Sequence, residues 1–259
     1  MDAESLLRVY DTELRTDAET PGAVAVQRLG PLRLVTFAGG RGFVTYADLD
    51  DAGPYDALVG EALALLTADD AITRIEWKTR GHDHAPGLHE ALLGHGFVPD
   101  EPEAIMMGEA ASLVEPEPPP GVTLRQVRTE ADVLAMCAHS GVVFDDPPDS
   151  GYAEAILARL SREDGMELWV AEAAGEIVSS GRLEPVARSR VAGIWGGGTS
   201  AGWRGRGVYR ALVAARARSA LRTGHTILHS DSTPMSEPIL ARSGLVKVST
   251  TTPYEWRRP

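Results

Sequence analysis

Short apolar runs and helix-forming stretches alternate along the second half of the chain. Leu124–Val127 predicts a strand, and Thr129–Ala138 a helix with Thr129 as its N-cap and acidic residues in its first turn. Ser140 to Ser150, with Phe144, Asp145, Asp146, Pro147 and Pro148, predicts a loop, and Tyr152–Leu160 a second helix. Glu167–Glu172 and Ile177–Leu183 predict a hairpin around Ala174 and Gly175. A strand at Val191–Thr199 follows, then a helix through Ala211–Leu221 that Gly224 ends. Thr226–Ser230, a short helix at Ser236–Ser243 and a strand at Lys247–Trp256 close the series. Pro253 in that last run favours an edge or a bulge. Strands and helices in this order predict an α/β fold with a mixed sheet.

The first half carries a similar order. Tyr55-x-Ala57-Leu58-Val59 returns as Tyr209-x-Ala211-Leu212-Val213, each opening a helical run. A strand-like run follows each, Arg74–Lys78 and Thr226–His229, and then a glycine-apolar step, Gly96-Phe97-Val98 and Gly244-Leu245-Val246. The shared order predicts two tandem domains of one kind. Between them Glu115–Gly121 is rich in proline and reads as an extended connector. The expected division is 1–115, a linker at 116–121, and 122–259.

Charge is spread unevenly over that division. The chain has net charge −12, but residues 1–120 hold 22 acidic against 8 basic side chains. Nucleic acid is therefore not an expected partner. Cys137 is the one cysteine, so no disulfide forms within the chain, and no Cys/His spacing resembles a metal site. A reducing cytoplasmic setting is expected, with no membrane partner, because no run is apolar over a membrane-spanning length.

The most informative segment is Arg204-Gly205-Arg206-Gly207-Val208-Tyr209, set between the Val191–Thr199 strand and the helix. Glycines before a helix leave N–H groups pointing at an anion, and two arginines add full charges. From Pro185 to Ser230 there is no carboxylate, whereas eight arginines fall there. The segment reads as a cradle for a polyphosphate. It lacks the Gly-Lys-Ser/Thr of a P-loop, and it fits the dinucleotide fingerprint poorly.

Arg204-x-x-Gly207-x-Tyr209 resembles motif A of the GCN5-related N-acetyltransferases, Gln/Arg-x-x-Gly-x-Gly/Ala, with Tyr209 departing at the last place. Ile239–Leu245 resembles motif B. Trp203–Val213 and Thr250–Tyr254 are similar to segments of actinobacterial-type members. The resemblance implies two tandem acyltransferase-like domains, with acetyl-CoA as cofactor in the second. Arg204, Gly205, Arg206, Gly207, Val208 and Tyr209 would hold its pyrophosphate. Gly197, Gly198 and Thr199, on a strand that splays from its neighbour, would line the pantetheine arm. An N–H there would meet a developing oxyanion. The first half has Asp48, Asp50, Asp51 and Pro54 where the second has arginines, so it is expected to hold no cofactor. Its expected role is structural: covering the second domain, shaping the substrate cleft, or supporting a dimer.

The acid and base are the gap in this reading. Leu240 stands where many family members carry an acidic tyrosine, and Ile194 and Trp195 stand near the usual glutamate. Asp231 and Tyr254 are the candidate catalytic replacements, Asp231 having the alternative role of capping the following turn. Glu172 and Glu184 read as solvated, and His139 and His229 as hydrogen-bonded structural histidines. Phe144 and Asp145 lie, by resemblance, in a region that lines the acceptor site, where carboxylates suit a cationic acceptor; the alternative for Asp145 and Asp146 is a solvated turn before Pro147 and Pro148. The expected activity is direct N-acetylation of a small-molecule or peptide amine, without a covalent intermediate, since Cys137 lies outside both motifs. The alternatives are an acyl-CoA sensor that has lost turnover and a scaffold without a ligand.

Overall fold

The computed structural model describes residues 1–50, 52–145 and 150–259. Asp146, Pro147 and Pro148 of the expected acceptor loop, and Asp51, lie outside the described residues. In chain order the first elements are α1 (Ala3–Val9), β1 (Ala25–Leu29), β2 (Leu32–Phe37), β3 (Arg41–Tyr46), α2 (Tyr55–Thr67), β4 (Arg74–Arg80), α3 (Leu88–Gly94), β5 (Val98–Pro99) and β6 (Glu103–Glu109). They are followed by β7 (Val122–Val127), α4 (Glu130–Phe144), α5 (Ser150–Leu160), β8 (Glu167–Ala173), β9 (Glu176–Pro185) and β10 (Val191–Thr199). The chain ends with α6 (Val208–Arg222), β11 (Ile227–Ser232), α7 (Glu237–Ser243) and β12 (Val246–Arg257).

Two compact units share these elements. The first holds Leu7–Ile105 and Val248–Pro259, the second Met1–Leu6 and Met106–Lys247. The expected connector at 116–121 therefore falls inside the second unit. The units part instead near the last strand of each half: residues 106–109 of β6 belong to the second unit and residues 248–257 of β12 to the first.

In the first unit β1, β2 and β3 run antiparallel, α2 crosses over, and β4 returns parallel to β3. β12 lies antiparallel to β4, Thr251–Arg257 facing Arg80–Arg74. The core gathers Leu34, Val44, Val59, Ile75, Trp77 and Phe97. Three arginines are buried beside it, and each has partners: Arg15 grips Asp83 at 2.7 and 2.9 Å, Arg80 holds Glu19, and Arg33 reaches Thr20 at 2.7 Å. Buried charge is tolerated only with such pairing.

The second unit repeats the order. β7, β8, β9 and β10 run antiparallel, α6 crosses over, and β11 returns parallel to β10. Each unit's parallel strand is followed by a short helix closed by a glycine with positive φ, Gly96 at +83° and Gly244 at +111°. Alternating side chains divide the second sheet into two faces. Val133, Met136 and Ile156 of α4 and α5 cover Leu168 and Val170 on one face. Val208 of α6 joins Ala171, Ala173 and Val178 on the other.

Thr129 caps α4 as expected, accepting from the Asp132 N–H at 3.2 Å. The helix runs on through Ser140–Phe144, where a loop was expected, and stops at Asp145 with φ +54°. Val143 and Phe144 continue it because their side chains pack on bare backbone at Gly198, within 2.6 and 3.2 Å of where a Cβ would stand.

Candidate functional site

The site is built around the far end of β10. Its register with β9 pairs Trp195 with Arg182 and Gly198 with Ser180, so Gly196 and Gly197 stand against Gly181 alone. This is a β-bulge, and Gly196 takes φ +57° there. Toward β11 the register covers Val191–Gly193 with Ile227–His229 among the described residues. The bulge therefore follows the last paired residues of β10 and β11.

Beyond Thr199 the chain makes a short 3-10 turn and enters the cradle. Gly205 and Gly207 have φ of +73° and +82°, a conformation that glycine adopts at little cost. Gly207 is the N-cap of α6 and supplies no side-chain cap, so the first-turn N–H groups of a fifteen-residue helix face outward. Arg204 and Arg206 are exposed beside them. Arg204 donates to the Thr199 carbonyl at 3.0 Å, and the Arg206 guanidinium lies 4.9 Å from the Trp203 ring centroid. Two positive charges and a helix N-terminus thus converge on one solvent-facing spot, the chemistry a pyrophosphate needs.

Underneath, the ring of Tyr209 lies against Gly197. Burial raises its phenol pKa, opposed by the charge of Arg216. Arg216 is itself enclosed, its pKa lowered by desolvation to about 10, and it donates to the Arg182 carbonyl at 3.1 Å. Gly181 leaves room for that guanidinium. The hydroxyl of Thr199 is engaged with Ser179 at 2.8 Å, and Ser179 donates to the Gly198 carbonyl at 2.7 Å. Gly197, Gly198 and Thr199 thus offer backbone rather than side chains to the splay. The cradle, the bulge and the end of α4 with Phe144 and Asp145 are brought together in one unit.

The face covered by α4 and α5 carries the polar chemistry. Tyr152 Oη accepts from Arg182 at 2.5 Å, and Arg159 of α5 holds Glu184 at 2.8 Å. Glu184 also accepts from Arg182 at 2.9 Å, so it is clamped between two guanidinium groups rather than solvated. Glu172 is paired with Arg125, whose hydrogen bonds hold its carboxyl below the usual range. Directly opposite residues share a face. Register thus puts Arg182 and Trp195, then Glu184, Gly193 and His229, on this one face.

Asp231 lies within β11, its Oδ1 3.1 Å from His229 Nε2, with the pair 7% and 6% exposed. Tyr254 is placed in the other unit, in its core, with its hydroxyl 2.8 Å from His89 Nδ1. The two catalytic candidates are therefore not gathered in one unit. Leu240 is fully buried in α7 and offers no proton. His139 bridges the hydroxyls of Ser180 and Ser200, 3.0 Å from each. Arg182, Arg216 and the contact of Trp195 with His229 were missed from the sequence. Only the alternation of Ser180, Arg182 and Glu184 along β9 hinted at a polar face.

No family model matches the chain. A mycothiol acetyltransferase of Streptomyces bingchenggensis (strain BCW-1) is 28% identical over 292 aligned positions, which cover 97% of this chain and 92% of that protein. Among solved structures, a GCN5-related N-acetyltransferase from Kribbella flavida superposes with a TM-score of 0.65 at 19% identity, covering 98% of this chain and 93% of the other. A tandem GNAT protein from the clavulanic acid biosynthesis pathway, without acetyl-CoA, superposes with a TM-score of 0.61 at 14% identity over 100% of this chain and 98% of its own. At these identities the structural likenesses speak for the fold. Among the described residues, no helix is long and apolar enough to cross a membrane.

Proposed function

We propose that the chain is a member of the GCN5-related N-acetyltransferase superfamily whose second unit binds acetyl-CoA and passes the acetyl group directly to a primary amine. The observation that carries this reading is the bulge at Gly196 and Gly197 leading into the uncapped, arginine-flanked start of α6. A Cβ at Gly197 or Gly198 would stand within 3 Å of Tyr209 or Val143, so only bare backbone lines this strip. Such a strip suits an extended amide-bearing arm that pairs with backbone, and the cradle suits the diphosphate beyond it. Bound acetyl-CoA supplies an activated acyl group as a thioester. Arg204, Arg206 and the first-turn N–H groups would hold its phosphates, and the Gly197–Thr199 backbone would orient its arm. An amide N–H at the bulge would face the carbonyl oxygen as negative charge develops there. Phe144 and Asp145 would border the acceptor.

The repeated order of elements supports reading the first unit as a second, degenerate copy. Its α2 begins after Pro54, with Asp48 and Asp50 upstream, where α6 follows arginines and glycines. One acetyl-CoA per chain is the expected stoichiometry.

Calorimetric titration with acetyl-CoA and with desulfo-CoA tests the reading. Micromolar binding at one site is expected, weakened at least tenfold in Arg204→Ala/Arg206→Ala and weakened by added salt. Turnover is then sought by mass spectrometry over a panel of primary amines: aminosugars, amino acid amides, short peptides and, following the relative's name, aminothiols. Failure of the wild-type protein to bind acetyl-CoA would remove the reading.

A further inference from the structure

Building on the acetyltransferase reading, we infer that His229 is the general base of the second unit's site and that Asp231 is the residue that orients it. His229 faces Gly193 in the last pair before the registers of β10 and β11 end, so its imidazole stands at the apex of the splay. The bulge that would carry the oxyanion donor begins three residues after Gly193 on the facing strand. Acceptor nitrogen, imidazole and carbonyl oxygen can then meet at one place.

The surroundings are arranged around that ring. The indole of Trp195 meets it edge to face, with ring centroids 5.2 Å apart and planes at 82°. A Cβ at residue 193 would stand 2.1 Å from the indole Nε1, so glycine there is what lets Trp195 lie back toward His229. The contact of Asp231 with Nε2 favours the tautomer that donates from Nε2, which makes Nδ1 the accepting nitrogen. The other titratable groups on this face include Glu184, Arg182, Tyr152, Arg159, Cys137, the paired Glu172 and Arg125, and His139, which meets Ser180 on β9; Met106–Gly108 of neighbouring β6 adds none. Glu184 is the rival base, but its two carboxylate oxygens already accept from Arg159 and Arg182, so they are engaged within the protein.

The step balances without a further reactant. A proton on the acceptor nitrogen passes to His229 Nδ1, and the nitrogen lone pair forms the new C–N bond to the thioester carbonyl carbon. The C–S bond breaks, and the departing thiolate takes up a proton from water. The imidazolium, held against the Asp231 carboxylate, returns its proton to solvent.

The test compares wild type, His229→Gln and Asp231→Asn on whichever amine of the panel turns over. Expected are a loss in kcat/KM of about a hundredfold for His229→Gln and disappearance of the acid limb of its pH profile. Its affinity for acetyl-CoA should stay within twofold of wild type, which separates loss of the base from loss of fold. Added imidazole should restore part of the activity of His229→Gly. Independently of turnover, imidazole ¹⁵N NMR should show the Nε2–H tautomer in wild type and a shifted tautomer balance in Asp231→Asn. Full activity and an unchanged pH profile in His229→Gln would overturn this inference alone. Absence of acetyl-CoA binding by wild type would remove the reading on which it rests.

Discussion

The ring of Tyr209 lies against the bare backbone of Gly197, its Cε2 atom 2.9 Å from where a Cβ would be. Tyr209 opens the cradle helix and Gly197 sits in the bulge, so this contact fixes the distance between the two parts of the proposed cofactor site. Gly197→Ala should push the ring aside at a cost of about 1–3 kcal/mol. Acetyl-CoA affinity should then fall roughly tenfold or more in calorimetry, while Gly202→Ala, where a Cβ meets open space, leaves it unchanged.

Glu19 partners Arg80, whose side chain is wholly enclosed, and lies 3.8 Å from Arg33. Glu19→Ala leaves a buried guanidinium without its carboxylate. The expected loss of stability is about 3–5 kcal/mol, read as a lower urea midpoint.

The exchanged strands make a sharper claim. β12 closes the first unit's sheet over Thr251–Arg257 and brings Tyr254 into its core. A chain ending at Lys247 should lose the near-UV circular dichroism of that unit and expose apolar surface to a dye. Residues 122–259 alone would lack β6, the strand alongside β11, and should show no cooperative unfolding transition. A sharp transition from residues 122–259 would contradict this.

His139 predicts a pH dependence. Desolvation lowers its pKa in the folded protein, where it bridges Ser180 and Ser200. The unfolded chain, with an imidazole pKa near 6.5, therefore binds more protons than the folded one as pH falls. Stability is complete above about pH 6.5 and declines below it, toward the lowered folded pKa. The same burial acts on His225, so the readout is a difference. The drop in urea midpoint between pH 7.5 and 5.5 should be smaller in His139→Gln than in wild type.

Most elements were legible because their signals are local. Thr129 before Glu130 and Asp132 marks a helix start, Gly224 and Gly244 mark helix ends, and the glycines ahead of Val208 mark the tight turn into α6. Each of these follows from backbone geometry or charge within a few residues, which a single sequence displays.

What the sequence by itself determined, then, was the order of elements and the glycine- and arginine-rich turn ahead of α6. The tertiary structure decided how far α4 runs, since Val143 and Phe144 find their support on Gly198, far away in the chain. It decided which unit receives each final strand, and so put Tyr254 with His89. It also decided that His229 faces Gly193 and meets Trp195, a relation set by strand register. Register and strand exchange depend on pairings between distant segments, whose closure entropy and burial are properties of the whole chain.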